Sequence, residues 1–160
     1  METKVKVRSI LITPSGNLLL IKRTRAGLAP YWVFPGGKVE DGDYSPEDAL
    51  RREVNEELAG TATIHKLVYV LERVTSPSIA EKELYYLCDV DRWSEKDRTG
   101  PEFEKPDCGL YEYDEVPLAK SELASRNIAP DVMREFLLNH LADLDLLPDV
   151  CKTNTVPNSF

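Results

Sequence analysis

An α/β fold, with two helices packed on opposite faces of a mixed β-sheet, is predicted by three features of this 160-residue sequence. Short apolar runs separated by turn residues recur through the first two thirds of the chain and read as strands. A Ser45-Pro46 start is followed by Leu50, Val54 and Leu58 at helical spacing. Residues 130–147 carry a second stripe, formed by Met133, Phe136, Leu137, Leu141 and Leu144. Neither helix can bury its stripe by itself, and a sheet between them buries both.

Residues 5–12 alternate and then become continuously apolar, so they read as the first strand, and Thr13-Pro14-Ser15-Gly16-Asn17 is the turn into a returning strand at 18–22. Residues 23–30 form a loop, and 31–34 a short strand that enters a Gly36-Gly37 turn. Ser45 is a good N-cap, Pro46 suits the first helical position, and Asp48 completes a variant capping box. Gly60 is the expected stop. Strands follow at 63–74 and 83–90, joined through Ser76-Pro77-Ser78. Residues 91–106 are polar and loop-like, 108–113 form a last strand, and 130–147 form the closing helix. One domain over 1–148 is expected, with 149–160 as a flexible tail.

The net charge is −8, and the stretch from Glu40 to Glu57 holds eight acids against two bases. Such a balance argues against a nucleic-acid-binding surface. It leaves room for a small phosphorylated ligand, because a bound cation reverses the local sign. Cys88, Cys108 and Cys151 are widely spaced and odd in number, which fits thiols in a reducing compartment rather than a disulfide framework. The N-terminus lacks the apolar core of a signal peptide and no stretch reaches the length of a membrane span, so a cytoplasmic protein is expected. His65 and His140 have no partner motif for nucleophilic catalysis. No Walker-type run is present, and Asp41-Gly42-Asp43 does not fit a calcium loop.

Glu53, Glu56 and Glu57 are the most informative residues. Three and four apart on the first helix, they share one side and repel one another when ionised. At about 100° per residue they lie beside the narrow apolar face, in the partly buried sector where clustered charge costs most. A hard divalent cation, which takes carboxylate oxygens, converts that repulsion into binding. Arg52, four before Glu56, can pair with it.

These residues resemble the Nudix box, whose pattern is a glycine, five residues, an acid, seven residues, then Arg-Glu, an apolar residue, any residue, Glu-Glu, any residue, Gly and an apolar residue. Here Gly37 is followed by five residues and Asp43, and then by Arg52-Glu53-Val54-Asn55-Glu56-Glu57. The Phe34-Pro35-Gly36-Gly37 entrance stands in the expected order. Three departures occur: Asp43 replaces a glutamate, one extra residue (assigned to Tyr44) precedes Arg52, and Ala59 stands where glycine is expected, suggesting a helix end shifted by one residue. Asp43 is not assigned to catalysis.

The resemblance implies a Nudix α/β/α sandwich that hydrolyses the diphosphate of a nucleoside diphosphate linked to another group X, with water attacking phosphorus. It implies Mg2+ at Glu53, Glu56 and Glu57, with Mn2+ as a substitute, Glu53 serving as third ligand or base, and Arg52 steadying the array. The main-chain N–H groups of Gly36 and Gly37 are expected near the phosphates. Arg23 and Arg25 read equally as phosphate ligands or as solubilising charge. Relatives often place the general base on a loop outside the box; here Glu102 and Glu104 fill that role or are exposed loop acids. Tyr31, Trp32 and Phe34 frame a base-stacking wall or pack inward, with core packing the default for Phe34. Homodimers are frequent in the family. The alternative function is a catalytically silent nucleotide sensor, and a plain acidic interaction domain is a third reading.

Overall fold

The polypeptide alternates strand and turn as its apolar runs dictate, and a computed structural model describes residues 1–95, 97–99 and 109–153, with side chains described through Cys151. Among them, seven strands form one mixed sheet: β1 (Glu2–Ile12), β2 (Leu18–Thr24), β3 (Tyr31–Val33), β4 (Gly36–Lys38), β5 (Ala62–Ser76), β6 (Ile79–Val90) and β7 (Leu110–Val116). The helices are α1 (Pro46–Leu58), α2 (Lys120–Ala124), α3 (Asp131–Asn139) and α4 (Val150–Thr153).

β1 runs parallel to β6 from Glu2↔Ile79 to Ile12↔Asp89, and the other pairings between these strands are antiparallel. β1 and β2 pair only beside their turn, at Leu11↔Leu19 and Ile12↔Leu18, and then part. β3 continues along the freed edge of β2, from Ile21↔Val33 to Arg23↔Tyr31. β4 continues along the freed edge of β1, from Lys6↔Lys38 to Arg8↔Gly36. The sheet is therefore split in its middle, and the split places the functional site.

Side chains alternate across the sheet, as the strand period of two requires. Val7, Leu11 and Leu19 face α1 and bury Ala49, Leu50, Val54 and Leu58. Ile10, Leu18, Leu20 and Phe34 face the other way and bury Leu123, Met133 and Leu137. Each leucine sealed in these layers contributes about 1.5–3 kcal/mol.

Several boundaries differ from those the sequence predicts. β1 starts at Glu2, because it pairs with β6 along its whole length. The Gly36-Gly37 pair is not a free turn but the start of β4. The strand expected at 108–113 is found at Leu110–Val116, and Cys108 lies outside the described residues. The single closing helix is two pieces. α3 stops at Asn139, the ring of its cap residue His140 contacts the Asp143 carboxylate at 3.1 Å, and a 3-10 turn follows at Leu144–Leu146. Asn139, Asp143 and Asp145 are residue types that favour caps and turns over helix interiors, and the break drops Leu144 into the core. Lys66 Nζ donates to the carbonyls of Asp145 and Leu147, satisfying acceptors that the broken helix leaves exposed. Beyond Pro148, where a frayed tail is expected, α4 forms and Val150 packs into the α1-side core. α2 is too short to be read from sequence periodicity, and only Leu123 anchors it in the core.

The start of α1 follows its caps: Ser45 Oγ accepts the Asp48 N–H at 3.1 Å. Its end is not shifted. α1 stops at Leu58, and Ala59 adopts φ 50°, ψ 37°, the left-handed cap that glycine occupies at little cost. Alanine pays roughly 1 kcal/mol there, so Ala59→Gly is expected to raise Tm by about 2–4 °C in thermal denaturation followed by circular dichroism. An unchanged or lower Tm would show that the cap is unstrained. No helix among the described residues is long and apolar enough to cross a membrane.

Candidate functional site

The cleft opened by the split sheet has a volume of about 330 Å³, and its walls include Arg8, Arg23, Gly36, Gly37, Glu53 and Glu57. Strand β4 and the C-terminal half of α1 form one side. Gly36 is held to β1 so closely that a Cβ on it would stand 2.0 Å from the Val7 carbonyl oxygen. Ser9 fastens the same turn through its N–H and its hydroxyl, which both donate to the Pro35 carbonyl at 2.8 and 2.9 Å. The Gly36 N–H, expected to face phosphate oxygens, instead donates to Glu57 Oε1 at 2.8 Å. Gly37 makes room for a side chain: a Cβ there would lie 2.5 Å from the Glu53 carboxylate carbon. The two glycines thus set the two carboxylates that line the cleft.

Arg52 organises the acids from behind. It makes two hydrogen bonds to Asp43, both at 2.9 Å, and donates to the Lys38 carbonyl at 3.0 Å. It also donates to Glu53 at 3.0 Å and stands 3.5 Å from Glu56. The bidentate fork is the strong form of this interaction, and it binds the loop before α1 to the middle of the helix. Asp43, which the sequence reading does not assign to catalysis, is the main partner of Arg52. The hydrogen bond from Arg52, aided by the Glu40 N–H, lowers the Asp43 pKa to about 2, and the same partner raises that of Arg52. A carboxylate depressed from 3.8 to about 2 contributes stability that is complete above its unfolded pKa and is lost as the pH falls through its folded one. Asp43→Asn is therefore expected to be less stable than the natural chain at neutral pH and to lose less further stability between pH 4 and pH 2. Denaturant titrations at stepped pH measure this, and parallel pH profiles for the two proteins would refute it.

The loop after β6 docks on the end of α1. The Thr99 N–H donates to the Glu56 carbonyl at 2.8 Å and the Ser94 N–H to the Leu58 carbonyl at 2.7 Å. Tyr113 OH donates to the Glu57 carbonyl. Arg98 donates to the Tyr111 carbonyl at 2.7 Å. Glu102 and Glu104 lie outside the described residues.

Of the predicted phosphate-binding residues, Arg23 lines the cleft, with its guanidinium carbon 3.7 Å from the centre of the Tyr111 ring. Arg25 is exposed and is not part of the cleft wall. Tyr31 lines the cleft, Trp32 donates from Nε1 to Asp114 at 2.8 Å, and Phe34 is a core residue packed edge-on against Tyr85. Sequence reasoning missed Arg8 and Tyr111. For Arg8 a signal existed, because it is a cation inside the run that becomes the central strand.

Among the described residues, no three His, Cys, Asp or Glu side chains converge as a ready-made metal cage. The predicted trio is spread: Glu53 and Glu57 line the cleft, while Glu56 is a third exposed and stands near Arg52. The donor set nevertheless suits Mg2+, which takes hard oxygens, uses few carboxylates and keeps several waters. The space that glycine leaves beside the Glu53 carboxylate also fits an acid that has to serve a ligand.

A family model described as NUDIX domain matches residues 2–132. A CTP pyrophosphohydrolase of Escherichia coli (strain K12) is 35% identical over 86 residues, which are 53% of this chain and 63% of that protein. The chain thus spans somewhat less than two thirds of that relative. The solution structure of the E. coli ORF135 protein superposes with a TM-score of 0.63 at 23% identity, covering 90% of this chain and 94% of the other. A NUDIX hydrolase from Nitrosomonas europaea of known crystal structure superposes with a TM-score of 0.64 at 20% identity, covering 93% and 76%.

Proposed function

The chain belongs to the NUDIX family, and from that premise we propose that it is a metal-dependent pyrophosphohydrolase of small nucleotide-type diphosphates. The observation that carries this reading is the cleft itself, where Glu53 and Glu57 stand against Gly37 and Gly36 and two arginines share the wall. Nudix hydrolases use divalent cations, and we assign Mg2+, with Mn2+ as a substitute, to Glu53, Glu56 and Glu57. The cation supplies charge neutralisation at the phosphate oxygens and acidifies water.

The chain's own residues do the rest. Arg52 holds Glu53 and Glu56 in place through its contacts at 3.0 and 3.5 Å. Arg23, stiffened by stacking on Tyr111, is positioned to bind phosphate oxygens. The cleft opened by the split sheet takes the diphosphate, with Arg8 and Arg23 on its wall. A carboxylate takes the proton of the attacking water, whose oxygen bonds to phosphorus as the P–O–P bridge breaks and two phosphorylated products leave. Glu102, Glu104 and Glu53 are the candidates for that base.

The test is a substrate screen with magnesium or manganese. It includes CTP, because one relative is a CTP pyrophosphohydrolase, together with nucleotide sugars, ADP-ribose, dinucleoside polyphosphates and oxidised deoxynucleoside triphosphates. Products are separated by ion-exchange chromatography, and 18O water locates the phosphorus attacked. Turnover of at least one substrate that stops with chelator is the expected result. Tight binding with no product from any of them would show a nucleotide sensor instead.

A further inference from the structure

Arg8 stands between two spaces. It lines the carboxylate cleft, and it also lines a second cavity of about 220 Å³ walled by Phe34, Arg73, Glu83, Tyr85 and Pro130. Its guanidinium is held at two points: Nε donates to Glu83 Oε2 and Nη1 to the Phe34 carbonyl, both at 3.3 Å. Glu83 is only 4% exposed. Its carboxylate also accepts from the Arg73 guanidinium and, at 3.1 Å, from Tyr85 OH. A carboxylate with three donors has little acceptor capacity left for a ligand.

Stability alone explains this cluster poorly. Glu83 is buried while Arg8 and Arg73 remain 24% and 44% exposed, and ion pairs open to solvent on one side add little stability. What the cluster does accomplish is to fix the plane of one guanidinium. The chain carries net charge −8, so a polyanion needs a local cationic wall, and Arg8 supplies it where the cleft meets the cavity.

We propose that Arg8 anchors the diphosphate of the substrate where it passes from the cleft toward the second cavity, and that Glu83 is the positioning residue that presets Arg8. The substrate class is then an anionic diphosphate whose non-reacting part extends past Arg8. The proposal rests on the hydrolase reading for its ligand, but its test does not depend on turnover.

The probe is α,β-methylene-CTP, titrated calorimetrically in EDTA and again in magnesium. Arg8→Ala is expected to weaken binding at least tenfold in both. Arg8→Lys should recover only part of this, because a point charge replaces a planar fork. Glu83→Gln should weaken binding about threefold to fivefold, and the double variant should be no worse than Arg8→Ala alone, as residues acting through one another require. With a substrate found by the screen, the loss should fall on KM rather than on kcat. Thermal denaturation checks that each variant is folded, and Arg8→Lys keeps the test open if Glu83→Gln is not. Wild-type binding in neither condition, wild-type affinity in Arg8→Ala, or fully additive losses in the double variant would each overturn the proposal. Loss of analogue binding in Arg8→Ala without turnover of any substrate by the wild type would leave the anchor standing and remove the hydrolase reading.

Discussion

Glu57→Gln and Glu56→Gln are each expected to lower kcat by roughly 10³-fold or more, about 4 kcal/mol of transition-state stabilisation, in a chain that keeps its fold. The substitution removes charge and leaves shape. In Glu57→Gln the new amide carbonyl can still accept the Gly36 N–H that Glu57 Oε1 accepts at 2.8 Å, so β4 stays joined to α1. Among the described residues the Glu56 side chain makes only a long ion pair with Arg52, at 3.5 Å, and it is a third exposed, so its amide costs the fold little. What is lost is a hard anionic donor, and a cation that neutralises phosphate oxygens is worth several kcal/mol to the reaction. Single-turnover and steady-state rates with magnesium measure the effect, beside a chelator control that should abolish wild-type turnover and be reversed by adding back magnesium or manganese. Hydrolysis by either variant at the wild-type rate would mean that the assigned metal residues are wrong.

Gly36→Ala is expected to destabilise the chain by roughly 3–5 kcal/mol, lowering Tm by more than about 8 °C. A Cβ at this position meets the Val7 carbonyl oxygen at 2.0 Å and the Arg8 Cα at 2.9 Å, with φ at 154°. These are backbone atoms of the central strand, and they cannot step aside as a flexible side chain would. β4 must leave β1, and the Gly36 N–H must leave Glu57. Gly37→Ala provides the contrast. Its Cβ would meet the end of the Glu53 side chain at 2.5 Å, which can swing away. The expected result is a Tm within about 3 °C of wild type with kcat reduced at least tenfold, because Glu53 is displaced from the cleft. Differential scanning calorimetry and steady-state kinetics on the pair decide it. A Gly36→Ala chain with wild-type Tm would show that the strands do not approach so closely.

The acidic helix was legible because everything that makes it lies within one turn. The Ser45 cap, the Leu50, Val54 and Leu58 stripe and the Glu53, Glu56 and Glu57 flank are relations between residues three or four apart. The pairing of Arg52 with Glu56 was legible for the same reason, and it proved the weaker part of what Arg52 does. Its fork on Asp43 spans nine positions across a loop, and no helical periodicity reports such a contact. Residues 130–147 misled in the opposite way. The apolar stripe was real, but a stripe does not say whether the backbone beneath it is one helix or a helix followed by a 3-10 turn, and the polar residues at 139, 143 and 145 together with Lys66 decided that.

By itself the sequence determined the α/β class, the start of α1, the acidic flank and the two-sided core, since each follows from spacing along a single element. Only the tertiary structure decided that the sheet splits, that the Gly36 N–H serves Glu57 across 21 positions, and that Arg8 meets Glu83 across 75. Those contacts depend on which strands become neighbours. That choice is made by the packing of whole faces, and the order of residues within any one strand carries no record of it.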